Sequence, residues 1–196
     1  MLHVVERESA QPSRFGFIVT KAVGGAVTRL TDDDFAYSDV RPVAGGALYA
    51  LRSSYRTPPH PVRVDADGSV TVLRCVEFPE LPGELVEMTA TADDGTPVRS
   101  WLTLPAGDAP APLLLWVHGG PLGSWNTWHW RWNPWLLTAL GYAVLMPDPA
   151  LSTGYGQDFI QRGWGAWGFA PYTDLMAAVD AACTHPRVDS GRVAAM

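Results

Sequence analysis

The chain has 196 residues, of which 47% are hydrophobic and 17% charged, which supplies material for a core and excludes a generally disordered chain. Lys plus Arg number 14 against 20 Asp plus Glu, a net charge of −6, and no basic run interleaves with the aromatics, so no nucleic acid partner is expected. The amino end lacks a basic region ahead of an apolar core, and no apolar run approaches a membrane span; the expectation is a soluble, cytoplasmic protein with no membrane partner.

From Phe15 to about Phe78 the chain reads as short β-prone runs broken by turn residues: Phe17 to Thr20, Gly24 to Leu30, Gly45 to Leu51, Pro61 to Val64 and Ser69 to Leu73. Such spacing predicts antiparallel all-β structure, and Asp65-Ala66-Asp67-Gly68 predicts a tight hairpin. The acidic triplet Asp32-Asp33-Asp34 lacks the alternating ligands, glycine and terminal Glu of a calcium loop and reads as a solvated loop. These runs are too few to close a sandwich and suit the last one or two blades of a β-propeller. The Pro- and Gly-containing stretch Glu77 to Glu84 marks the domain boundary, giving residues 1–82 and 83–196.

Beyond it, Val86 to Thr91 and Val98 to Pro105 flank Asp93-Asp94-Gly95 as a hairpin. Leu113-Leu114-Leu115-Trp116-Val117 then forms an apolar run without polar alternation, the pattern of a strand buried on both faces of a parallel sheet. It ends in His118-Gly119-Gly120-Pro121. Carboxyl ends of parallel strands carry ligand sites, and paired glycines let backbone N–H groups approach a ligand; the turn is either an anion-stabilising turn or only a tight one.

A Trp-rich segment follows, with Trp125, Trp128, Trp130, Trp132 and Trp135. The rings could line a pocket for apolar peptide side chains, with packing of a long loop beneath a propeller the favoured alternative. Asn133 as N-cap, Pro134 at the first helical position and Gly141 past the end specify a short helix. Tyr142 to Met146 is the next buried strand, closed by Pro147-Asp148-Pro149. Helices follow from about Gln157 to Arg162 and from near Thr173, the latter with Leu175, Met176, Val179, Ala182 and Cys183 on one face. Arg192 to Met196 reads as a further buried strand.

None of the five histidines, His3, His60, His118, His129 and His185, lies three to five residues from another, so no metal site is expected. Cys75 and Cys183 read as buried free thiols, with a disulfide as the minor alternative.

The segments Trp116-Val117-His118-Gly119-Gly120-Pro121, Gly141-Tyr142-Ala143-Val144, Ser152-Thr153-Gly154-Tyr155-Gly156, Asp174-Leu175 and Arg192 to Met196 resemble, in order and spacing, the catalytic domain of the prolyl oligopeptidase family of serine peptidases, especially its acylaminoacyl-peptidase-like branch. The resemblance implies a β-propeller followed by the amino-terminal part of an α/β-hydrolase domain, cleavage of a peptide substrate, and no cofactor. It also implies that the Gly120 N–H is one oxyanion-hole donor, with His118 and Gly119 supporting the turn. His118 precedes any nucleophile and so is not the base of this fold, whose order is Ser, acid, His. His129 reads as a surface or interface residue, and Tyr155 as fixing its own turn or, with Trp125, touching substrate.

No Gly-x-Ser-x-Gly nucleophile elbow occurs in the chain. The expectation is therefore a fragment whose Ser, Asp and His lie past Met196, inactive and poorly stable alone. Where many family members carry Arg-Gly after the strand, this chain has Ala150-Leu151, which removes a guanidinium. An esterase on the same scaffold and a noncatalytic propeller-containing interaction protein are the alternative functions.

Overall fold

The computed structural model describes residues 2–5, 18–23, 26–31, 35–73, 77–78, 80–127 and 130–196, with side chains from residue 29 onward. Phe15 to Phe17, Gly24-Gly25, Asp32-Asp33-Asp34, Cys75, Trp128 and His129, all singled out above, lie outside the described residues, as does the His3 side chain. The chain divides into two compact units, Met1–Pro79 with Asn126–Arg131, and Glu80–Trp125 with Trp132–Met196.

In the first unit, β1 (Leu2–Val5), β2 (Ile18–Val23) and β3 (Ala26–Arg29) form a three-stranded antiparallel sheet. Strands β4 (Ala36–Pro42), β5 (Leu48–Ser53), β6 (His60–Val64) and β7 (Val70–Val72) form a four-stranded antiparallel meander. Alternation of side chains puts Leu48 and Ala50 of β5, and Val62 and Val64 of β6, on one face with Tyr37 and Leu30. The hairpin at Asp65 to Ser69 closes as its Asp-Gly pair predicts, with Asp65 N–H on Ser69 O and Gly68 N–H on Asp65 O, both at 2.9 Å. Strands β1 and β4 were not legible in the sequence. The two sheets do not close into a propeller among the described residues.

In the second unit, β8 (Gly83–Thr91) and β9 (Pro97–Pro105) form the expected hairpin. They join β10 (Ala111–Leu115), β11 (Ala143–Pro147) and β12 (Val188–Ala195) in one sheet of order β12-β10-β11-β9-β8. Strand β10 pairs in parallel with β11 and β12, and the pairing continues through Trp116 N–H to Leu145 O and Val117 N–H to Met196 O. The sheet is mixed rather than wholly parallel, because β9 pairs antiparallel with β11.

Burial differs along these strands for a geometric reason. Strand β11 is interior and buried at all five positions: Ala143 and Leu145 face one apolar cluster, Val144 and Met146 the other. Strand β10 is buried at alternate positions, Ala111, Leu113 and Leu115. Strand β12, read as a further buried strand, is the edge of the sheet among the described residues, hydrogen-bonded on one side and exposed from Ser190 onward.

Helix α1 (Trp135–Ala139) begins with Asn133 Oδ1 accepting the Trp135 N–H at 3.0 Å. It ends in paired bonds, Tyr142 N–H to Leu137 O and Gly141 N–H to Thr138 O, with Gly141 at φ 91°. Thr138 Oγ1 donates to Pro134 O and accepts from Thr103 Oγ1, so the helix is pinned to β9 through two buried hydroxyls. Helix α2 (Gln157–Gly163) and helix α3 (Ala170–Cys183) separate β11 from β12. Helix α3 starts a turn earlier than the expected Thr173, with Pro171 in its first turn, where its missing N–H costs no bond. Its Ala178 and Ala182 are buried, and Leu175, Met176, Val179 and Cys183 pack partly buried on the β8–β12 sheet. Cys183 is a half-buried free thiol whose pKa burial pushes up.

Candidate functional site

At the carboxyl ends of β10 and β11 the chain makes two loops, 116–125 and 148–156, that hold each other. In the first, Gly119 and Gly120 are exposed at the tip. Gly120 has φ 139°, and a Cβ there would lie 2.9 Å from the Leu122 backbone nitrogen, so the turn requires glycine at that position. Among the described residues, the N–H groups of Gly119 and Gly120 donate no hydrogen bond. The tip adjoins a cavity of about 240 Å³ walled by Val117, His118, Pro121, Leu151, Trp167 and Tyr172.

The second loop is organised by Asp148, which is 0% exposed. Its Oδ1 accepts the Trp125 N–H at 2.8 Å and lies 3.7 Å from His118 Nε2. Its Oδ2 accepts the Tyr155 hydroxyl at 2.5 Å and stands 3.9 Å from Arg99 Nη1. Arg99 is itself held by Glu87 Oε1 at 2.6 Å and stacks on Trp101. Burial raises the Asp148 pKa; the Tyr155 and Trp125 hydrogen bonds, and then the charges of His118 and Arg99, pull it back.

His118, Ser152 and Asp148 stand together without forming a nucleophilic triad. Ser152 Oγ contacts His118 Nε2 at 2.8 Å but gives its own proton to Pro149 O at 2.6 Å, and the residue is 0% exposed. Asp148 approaches the same ring nitrogen that meets the serine, whereas an orienting carboxylate would hold the opposite one, which here faces Gly119 O at 3.2 Å. The His118 ring packs edge-on against Trp125.

The other sequence candidates separate. Trp125 is 4% exposed and packs with Val144, Met146 and Trp116, so its ring belongs to the core rather than to an open pocket. Tyr155 gives its hydroxyl to Asp148 and its ring to Phe159. Trp135 is buried and Trp132 exposed. Trp130 lies in the first unit, where its Nε1 donates to Ser54 O at 2.7 Å.

Asp148, Arg99 and Glu87 were not singled out from the sequence. The available signal was an acid between two prolines directly after a buried strand, at the sheet edge that also carries the Gly-Gly turn. In the sequence, Asp174 stands out only as part of the Asp174-Leu175 motif. It is 0% exposed, takes both Arg162 nitrogens, Nη1 at 2.9 Å and Nη2 at 3.1 Å, and accepts the Ala150 N–H at 2.8 Å. A guanidinium from α2 thus holds this carboxylate. Among the described residues no group of three His, Cys, Asp or Glu is placed to hold a metal.

Residues 128–196 match the sequence pattern described as the prolyl oligopeptidase family. The resemblance is to that family. The chain is 39% identical over 107 residues to a probable dipeptidyl-peptidase 5 of Emericella nidulans, a match covering 51% of the chain and 15% of that protein. It is 42% identical over 85 residues to a dipeptidyl-peptidase 5 of Trichophyton equinum, covering 41% of the chain and 12% of that protein.

In three dimensions it is similar to a puromycin-hydrolyzing peptidase of Mycobacterium tuberculosis, with a TM-score of 0.75 at 23% identity over 94% of the chain and 30% of that structure. It is also similar to the acylaminoacyl peptidase of Pyrococcus horikoshii, with a TM-score of 0.79 at 18% identity over 97% of the chain and 33% of that structure. At these identities the structural likeness establishes the fold. No helix among the described residues is long and apolar enough to cross a membrane.

Proposed function

We propose that this chain is part of a serine peptidase that hydrolyses oligopeptides or acyl-peptides through an acyl-enzyme, and that the Gly120 N–H is one of its two oxyanion donors. The observation that carries the reading is an exposed glycine N–H at the carboxyl end of β10, with no hydrogen-bond acceptor among the described residues. When a serine attacks a peptide carbonyl, negative charge develops on its oxygen, and a fixed donor lowers that barrier most when it is placed for the oxyanion. His118 and Gly119 support the turn in this reading, and no cofactor takes part.

The nucleophile, acid and base belong to sequence beyond residue 196 in this reading, since the chain contains no Gly-x-Ser-x-Gly. The match to the Emericella nidulans relative covers 15% of that protein's length. Residues 1–82 then contribute blades of a propeller and residues 83–196 the first part of the hydrolase domain.

The test is labelling with a fluorophosphonate followed by mass-spectrometric mapping. The full-length protein should carry the label on one serine outside residues 1–196, and residues 1–196 alone should take none. A label on Ser152 or any other serine of this chain overturns the reading.

A further inference from the structure

We propose that Asp148 is the positioning residue of the Gly119-Gly120 turn, tying its entering and leaving stems together from beneath, with Tyr155 fixing the carboxylate. The inference rests on the oxyanion role of Gly120.

The turn is entered through His118 and left through Gly123 to Trp125. Both stems are anchored on the 148–156 loop. On the entering side, His118 Nε2 meets Ser152 Oγ at 2.8 Å and Asp148 Oδ1 at 3.7 Å. On the leaving side, the Thr153 N–H donates to Gly123 O and the Trp125 N–H to Asp148 Oδ1, both at 2.8 Å. One carboxylate oxygen therefore faces both stems. The other is occupied by the Tyr155 hydroxyl at 2.5 Å, with Arg99 behind it at 3.9 Å.

A fully buried carboxylate is costly to desolvate, and well-packed apolar groups are often no worse for stability. What an apolar residue cannot do is accept from a backbone N–H and a hydroxyl while facing an imidazole. The tip itself is exposed and a Cβ at Gly119 would meet nothing within 4 Å, so the hydrogen bonds that tie the turn to the 148–156 loop run through its stems. Donor placement matters to within a fraction of an ångström of the reacting oxygen.

Asparagine at 148 keeps the shape but offers one acceptor oxygen, leaving either the Trp125 N–H or the Tyr155 hydroxyl opposite an NH2 group. Phenylalanine at 155 removes only the hydroxyl. The experiment compares Asp148→Asn and Tyr155→Phe with wild type in the full-length enzyme. It measures kcat, KM, thermal midpoint and inhibition by a peptide aldehyde, whose adduct carries the oxyanion.

The expected result is that kcat falls by roughly 10- to 100-fold and aldehyde affinity falls with it, while KM stays near wild type. Tyr155→Phe, the milder change, should show the same split while staying folded at the assay temperature, with its thermal midpoint lowered only modestly by the donor that the buried carboxylate loses, whether or not Asp148→Asn folds. Near-normal kcat in Tyr155→Phe, or losses in kcat that merely follow losses in thermal stability, overturns the inference. A wild-type enzyme with no acyl-hydrolase activity instead overturns the function on which it rests.

Discussion

Leu151 fills the space that a side chain at Gly163 would need: a Cβ built on Gly163 would lie 2.6 Å from Leu151 Cγ and 2.8 Å from Pro171 Cγ. Leu151 is 1% exposed, and its N–H donates to Phe159 O at 3.3 Å. The contact locks the loop that carries Asp148 and Tyr155 against the helices α2 and α3. Gly163→Ala should therefore destabilise the protein by about 1–3 kcal/mol through overpacking, read as a lowered urea midpoint.

Leu151 also has φ 80°, a conformation that L side chains adopt at a cost. Leu151→Ala and Leu151→Gly both empty the pocket, but only the second relieves the backbone. The glycine variant should be more stable than the alanine variant by about 1 kcal/mol, the reverse of the usual order at ordinary positions. Urea unfolding of the pair measures it.

Arg162 is the cation for Asp174, a carboxylate 0% exposed, and also donates from Nε to Asp94 Oδ2 at 2.9 Å. Arg162→Ala leaves a buried carboxylate with the Ala150 N–H but no charge partner among the described residues, and should cost about 3–5 kcal/mol of unfolding free energy. Arg162→Lys should recover part of it, because lysine restores the charge without the two-pronged geometry.

Two carboxyls give opposite pH signatures. The Asp94 pKa is well below the ordinary carboxylate range, first through the hydrogen bond from Arg162 and then through the Thr96 N–H. Its contribution to stability is present above that range and is lost as pH falls below about 4. The Asp148 pKa is raised by burial, so its contribution declines as pH rises from the ordinary range through the raised value. Asp94→Asn should flatten the acid limb of a stability–pH curve, and Asp148→Asn should remove the decline on the other side. Chemical denaturation at a series of pH values below and above the ordinary carboxylate range measures both.

Local signals in the sequence mapped well onto structure. Asn133, Pro134 and Gly141 specify both ends of α1, and the two Asp-Gly pairs each close a hairpin. The alternating faces of β11 follow from an apolar run long enough to cross an interior strand. What was not legible depends on contacts far apart in sequence. Nothing local says that Trp130 reaches Ser54, or that residues 126–131 pack with the first unit. The Pro147-Asp148-Pro149 pattern after a buried strand places an acid near the turn, but it does not make Asp148 the centre of the site, since its partners Arg99, His118, Trp125 and Tyr155 come from separate elements. The exposed β12 shows the same limit, because its apolar composition cannot state whether a second neighbour is present.

The central claim is that the Gly120 N–H stabilises an oxyanion. Side-chain substitution at Gly120 confounds that test, because its φ of 139° and the nearby Leu122 backbone make any Cβ disturb the turn. Replacing Gly120 with glycolic acid in the full-length enzyme puts an ester oxygen where the N–H was and adds no side chain. The account predicts that kcat on a peptide substrate falls by roughly 10²–10³, with KM and thermal midpoint close to wild type. A kcat within roughly two-fold of wild type would contradict it.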